Sequence, residues 1–253
     1  MMRQGSSMLA MLFTMLAGLA PTALAQKEVT LTAADGVKVT GTYYPAAKSS
    51  APIILLFHQA GSNHWEYAPI APRLVTAGFS CLAIDARHGG DMWGHANETV
   101  ARLGKESGYL EALSDLEAAL GWARKENPSR NVIVWGSSYS SCLVFVLAAK
   151  HPSEIAGLLS FSPAEYFKST PSFVHDAAAK VKIPVFITSA KDSEEEEAAK
   201  SIFDATASKK ESVLYVPQAG GVHGSSTLRT DRNLEGAEQN WTVVLAFLKQ
   251  FQL

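Results

Sequence analysis

The chain has 253 residues, 47% of them apolar, and a formal net charge of -2. That length and apolar content suit one α/β domain with a sizeable core. With no basic block, no aromatic-basic interleaving and no acidic tail, nothing in the charge pattern points to nucleic acid or to an anionic membrane surface as a partner.

In chain order, the first element is a leader. Met1–Ser7 is polar with one charge, Arg3, and the apolar "MLAMLFTMLAGLA" after it is too short to span a bilayer comfortably. Pro21 interrupts the run, and Ala23–Ala25 offers small residues where a signal peptidase reads. The expectation is a signal peptide over 1–25, export to the periplasm or medium, no membrane span after cleavage, and one α/β domain over 26–253.

"EVTLTAADGVKVTGTYY" alternates apolar and polar residues on both sides of Asp35-Gly36, which predicts an antiparallel hairpin. "PIILLFH" (52–58) and "FSCLAID" (79–85) are continuous apolar runs, as in strands buried on both faces. A helical stretch over 65–77 lies between them and ends at Gly78; residues 86–108 show no period. Leu113, Leu116, Leu120 and Ala123 fall at helical spacing before Pro128. "NVIVWG" predicts a strand and 138–150 a helix. "AGLLSFS" (156–162), "PVFITSA" (184–190) and "SVLYVP" (212–217) predict further strands. Helices are expected over "FVHDAAAKV", over "SEEEEAAKSIFDATA" with its acidic first turn, and over "NWTVVLAFLKQF". Strands alternating with helices after a hairpin imply a mostly parallel sheet with helices on both faces.

Ligands of such sheets bind outside the carboxyl ends of the strands. At one such end "GSSYS" (136–140) fits the nucleophile elbow G-x-S-x-G, with Ser140 in place of the last glycine. Ser138 is then the exposed tip and needs an aligned base. Serines crowded at a helix start also serve as caps, but the strand before and the helix after are the context the elbow requires. Asp192 follows "PVFITSA" and His223 follows "SVLYVP", so an acid and a base each come after their own strand. Asp192 also stands where a cap for the next helix belongs, and Glu165 in "SPAEYF" is the alternative acid.

On "LLFHQAGSN", "CLAIDARHGGD", "VIVWGSSYSS", "ITSAKDSEEE" and "GGVHG", the mature chain resembles the α/β-hydrolase superfamily, particularly its small dienelactone-hydrolase-like members. The resemblance implies an α/β-hydrolase fold with a minimal lid and a serine, acid, histidine order of catalytic residues. It implies an oxyanion hole made by the backbone N–H groups of Ala60 and Tyr139, with Gln59 as a second candidate, and a structural rather than catalytic His58. Two departures matter. Ser140 replaces a glycine, and Ser138 stands where dienelactone hydrolases carry cysteine, which argues for a serine esterase acting on short-chain or exposed esters of small molecules. Peptidase, thioesterase or lactonase chemistry on the same residues, and a non-catalytic binding role, remain as alternatives. Trp93, His95 and Tyr109 are candidates to line the substrate site, with Trp65 and Tyr166 behind them.

No cofactor is expected. His64, His88 and His95 lack metal-ligand spacing, and no phosphate loop or dinucleotide fingerprint is present. The two cysteines, Cys81 and Cys142, read as buried small hydrophobes, although export would permit a disulfide. "NET" at Asn97 and "NWT" at Asn240 match the glycosylation sequon.

Overall fold

The computed structural model describes residues 26–105, 107–167 and 170–252. The leader expected over 1–25 lies outside the described residues. β1 (Lys27–Thr32) and β2 (Lys38–Tyr44) form the expected hairpin, with Thr32 opposite Lys38 across the turn. β3 (Ile53–Phe57) is buried at every residue, and a 3₁₀ turn, His64–Tyr67, follows it. α1 (Ala71–Thr76) precedes β4 (Ser80–Ile84). The single helix expected over 65–77 is therefore two short pieces, and the second carries Pro72 in its first turn, a residue that suits a helix start because it has no N–H to satisfy.

α2 (Glu98–Leu103) arises inside the segment without a period. Asn97 caps its start by accepting the Val100 N–H at 2.9 Å. α3 (Leu113–Glu126), β5 (Val132–Ser137), α4 (Tyr139–Lys150) and β6 (Gly157–Phe161) follow. α5 (Phe173–Ala178), β7 (Val185–Thr188), α6 (Ser193–Ala205), β8 (Val213–Tyr215) and α7 (Ala237–Leu248) complete the series.

The eight strands order as β1-β2-β4-β3-β5-β6-β7-β8. β2 pairs antiparallel with both β1 and β4, and every other neighbouring pair is parallel. This is the α/β-hydrolase fold, and among the described residues α5 is the one helix between β6 and β7, so the lid is minimal. Side chains of one strand alternate between two cores. Ile53, Leu55 and Phe57 pack with α3, α4, α5 and α6, whereas Ile54 and Leu56 pack with α1 and α7. α4 is buried from Tyr139 to Ala148, so it has no polar face to offer water.

That layering separates the cysteines. Cys81 belongs to one core and Cys142 to the other, with the sheet between them, and both are free thiols. Both sequon asparagines are also buried and engaged. Asn97 Nδ2 donates to Ala86 O at 3.0 Å, and Asn240 Nδ2 donates to Gly236 O at 2.8 Å. Among the described residues no helix is long and apolar enough to cross a membrane.

Candidate active site

At the end of β5 the chain turns sharply into α4. Ser138 sits on the turn with φ 58° and ψ -123°, a left-handed conformation costly for any residue with a Cβ. The turn is held from both sides: Ser138 N–H donates to Phe161 O at 2.9 Å, and Ser141 N–H donates to Ser138 O at 2.9 Å. Gly136 is required two residues earlier, since a Cβ there would lie 2.3 Å from Ser140 O. Ser140, standing in place of the last glycine, does more than fill the turn. Its hydroxyl accepts the Ser137 N–H at 2.8 Å and donates to Phe57 O at 2.7 Å, tying the elbow to the end of β3.

His223 lies on the loop after β8, and two serines at neighbouring strand ends fix that loop. Gly224 N–H donates to Ser162 Oγ, and Ser225 N–H to Ser137 Oγ, both at 2.9 Å. A Cβ on Gly224, whose φ is 66°, would meet Ser137 Oγ at 2.4 Å, so close approach and backbone conformation both demand glycine. The His223 loop is thereby anchored one residue from the elbow's tip.

The carboxylate beside His223 is not Asp192. Asp192 is an exposed N-cap whose Oδ1 accepts the Glu194 and Glu195 N–H groups at 3.0 and 3.2 Å. That oxygen is turned into the helix start, and among the described residues no hydrogen bond joins Asp192 to the imidazole. Glu195, in the first turn of α6, reaches back instead: Oε1 meets His223 Nδ1 at 2.7 Å, and Oε2 accepts the Ala190 N–H at 2.9 Å. Glu165 is not that partner either. It accepts the His175 N–H at 2.9 Å and contacts His175 Nδ1 at 2.7 Å.

Burial alone would raise the Glu195 carboxyl, but hydrogen bonds from His223, Ser162 and the Ala190 N–H outweigh it and hold the group at about 2. The bond to Glu195 in turn raises His223 above its ordinary 6.5, against the opposing pull of desolvation. The positive end of α6 favours the same ionised carboxylate.

His58 is fully buried and has both ring nitrogens committed. Nε2 accepts the Ala86 N–H at 2.9 Å, which leaves Nδ1 to donate to Gln59 O at 2.7 Å. Burial pushes its pKa down, so it is a neutral brace for the loop. In the turn it braces, the Gln59 N–H is spent on Glu66 Oε2 at 2.9 Å, and the Gln59 side-chain amide meets Met92 Sδ at 3.6 Å. Ala60 N–H has no hydrogen-bond partner among the described residues. Tyr139 is the first residue of α4, directly after Ser138.

The lining candidates divide. Tyr109 stacks on Tyr139 at 4.9 Å and meets His88 edge-on, beside the elbow. Tyr166 donates to Ser162 O at 2.9 Å and lies close to the Ser138 side chain. Trp93 donates to Ser62 Oγ at 2.9 Å and lies under the Arg229 guanidinium. His95 stacks flat on Trp65 at 3.6 Å, and both line a cavity of about 550 Å³ with His64, Glu98 and Arg102, none of which belongs to the elbow or the His223 loop. Sequence reasoning missed Glu195, Ser162, Ser137 and Glu66.

A strained serine between a parallel strand and a buried helix, with a histidine on a later loop paired to a carboxylate at a helix start, defines an α/β hydrolase. The chain belongs to the Hydrolase_4 family (serine aminopeptidase, S33), whose pattern it matches over residues 48–214. A monoacylglycerol lipase from Mycolicibacterium smegmatis is 26% identical over 146 residues, 58% of this chain and 50% of that one; the match thus spans about half of that relative's length. Among solved structures, the esterase Pf2001 of Pyrococcus furiosus superposes with a TM-score of 0.67 at 20% identity, over 90% of this chain and 92% of that one. A dienelactone hydrolase from Anabaena variabilis superposes with a TM-score of 0.69 at 16% identity, over 90% and 99%.

Proposed function

We propose that this protein is a serine hydrolase of carboxylic esters, with Ser138 as nucleophile, His223 as base and Glu195 as the acid that orients it. The observation that carries the reading is the Ser138 backbone, held in a costly conformation that places its hydroxyl at the tip of the elbow. Ser138 Oγ attacks the ester carbonyl as His223 takes its proton. Glu195 on Nδ1 fixes the tautomer that leaves Nε2 free to act and stabilises the imidazolium. The Ala60 and Tyr139 N–H groups receive the oxyanion. His223 then returns the proton to the leaving alcohol, and water releases the acyl group by the same steps in reverse.

The small α5 segment in place of a large lid supports short-chain or exposed esters as substrates. The monoacylglycerol lipase and esterase relatives support ester over amide chemistry. A panel of p-nitrophenyl esters, thioesters and aminoacyl amides, run with a fluorophosphonate probe on wild type and Ser138→Ala, tests the reading. Ester turnover and probe labelling should both vanish in the variant; labelling that survives it, or preferential aminoacyl-amide cleavage, overturns it. The leader supports export of one domain, 26–253, and N-terminal sequencing of the exported protein should begin at Gln26.

A further inference from the structure

We propose that Glu66 is a positioning residue of this site, a buried carboxylate that locks the oxyanion turn, the nucleophile strand and the base loop into one geometry. The inference rests on the serine-hydrolase reading above.

Glu66 lies in the 3₁₀ turn after β3 and is fully buried. Among the described residues it has no ion-pair partner, and a carboxylate buried without a cation is expensive. What it does have is a set of donors from the catalytic loops. Oε2 accepts the Gln59 N–H at 2.9 Å, and Oε1 accepts the Ser137 hydroxyl at 2.6 Å. Ser137 Oγ also accepts the Ser225 N–H at 2.9 Å, so its proton is committed to Glu66, and the carboxylate grips the base loop through it. Arg229, beyond that loop, donates to the Glu66 backbone carbonyl at 3.0 Å.

The consequence concerns which donors face the substrate. Gln59 and Ala60 are consecutive N–H groups in the turn where the oxyanion hole is expected. Glu66 consumes the first, and Ala60 N–H is left without a partner among the described residues. Fixing one peptide of a tight turn fixes the direction of the next. A carboxylate is suited to this role because both of its oxygens only accept, and both face donors. A glutamine would turn one amide donor toward the Ser137 hydroxyl or the Gln59 N–H. Burial pushes the Glu66 carboxyl upward, while the Ser137 and Gln59 hydrogen bonds and the charges of Arg229 and His223 oppose the shift.

The test compares Glu66→Gln and Ser137→Ala with wild type on a p-nitrophenyl ester and against a boronic acid, which mimics the tetrahedral oxyanion. Misplacing the hole lowers kcat by roughly 100-fold in Glu66→Gln, with KM unchanged. Boronate affinity should fall in step with kcat/KM, because only the transition state uses the displaced donor. Ser137→Ala should show the same split, and the double variant should lose no more than the worse single one. Folded variants with wild-type kcat, or a loss carried by KM with boronate binding intact, overturn the proposal. If Glu66→Gln does not fold, Ser137→Ala decides alone. A wild type that neither hydrolyses esters nor labels at Ser138 sinks the underlying reading instead.

Discussion

Two groupings of serine, histidine and glutamate occupy this molecule, and the better-connected one is the poorer candidate for catalysis. On the surface, Ser201 Oγ meets His175 Nε2 at 2.8 Å, and His175 Nδ1 meets Glu165 at 2.7 Å. At the sheet's carboxyl edge, His223 meets Glu195 at the same 2.7 Å, beside Ser138. The difference lies in the serine's backbone. Ser201 is well inside α6, where the surrounding N–H groups are spent on the helix's own hydrogen bonds. No donors converge on a carbonyl placed there. Ser138 projects from a strained turn, with the start of a helix on one side and the Ala60 N–H on the loop after β3. A hydrogen-bonded serine, histidine and glutamate are thus not by themselves an active site, which also needs donors aimed where the oxyanion forms.

The sharpest way to break this comparison is to remove each serine. Ser138→Ala should cost roughly 10⁴- to 10⁶-fold in ester turnover, whereas Ser201→Ala should leave turnover at the wild-type level. Residual labelling by a fluorophosphonate at Ser201 in the Ser138→Ala protein would dissolve the distinction. Next in size are the acids. Glu195→Gln keeps the shape but loses the charge that fixes the imidazole, so turnover should fall by roughly 10⁴-fold. Asp192→Ala should lose only a helix cap, about 1 kcal/mol by chemical denaturation, with turnover within an order of magnitude of wild type. The reverse pattern would return the acid role to Asp192.

The pH profile reads the same pair. His223 must be neutral to accept a proton, and Glu195 raises its pKa, so kcat/KM should fall on the acid side from a point above the ordinary 6.5 of histidine. In Glu195→Gln that limb should move to lower pH. The stability linkage has two edges. The Glu195 contribution is complete above its ordinary 4.5 and is lost as the pH falls toward about 2. The His223 contribution is complete below 6.5 and is lost as the pH rises through its raised value. An acid limb at or below the free-histidine value would show that the pair does not form in solution.

Strands, helices and the elbow were legible because each is a local pattern: an apolar run, a 3.6-residue period, a glycine two residues before the tip. The carboxylate beside His223 was not, because strand-end position points to Asp192, and helix capping claims the same residue. The spacing Asp192-x-x-Glu195 is that of a capping box, in which the fourth residue reaches back past the helix start, and that was the available clue. Ser162 carried no clue at all. Its value comes from φ 58° at the end of β6 and from the approach of Gly224 and Glu195, which only the assembled sheet creates. α2 hid because six residues are too few to show a period, although Asn97 and Gly104 marked its ends.

The smallest expected effect belongs to the surface grouping and fixes what it is for. Ser172, at the start of α5, sits at φ 64° and gives no side-chain cap. Glu165 supplies one from a distance by accepting the Val174 and His175 N–H groups at 3.0 and 2.9 Å. His175 then passes the contact on to Ser201, clasping α5 to α6. Glu165→Ala therefore removes a cap and half of a partly exposed pair, worth about 1 kcal/mol together, and leaves ester turnover unchanged. Ser201→Ala removes only the outer bond and should be close to neutral in denaturation. If Glu165→Ala instead lowers turnover without lowering stability, α5 acts on the site as more than a packing element, and the separation between the two groupings fails.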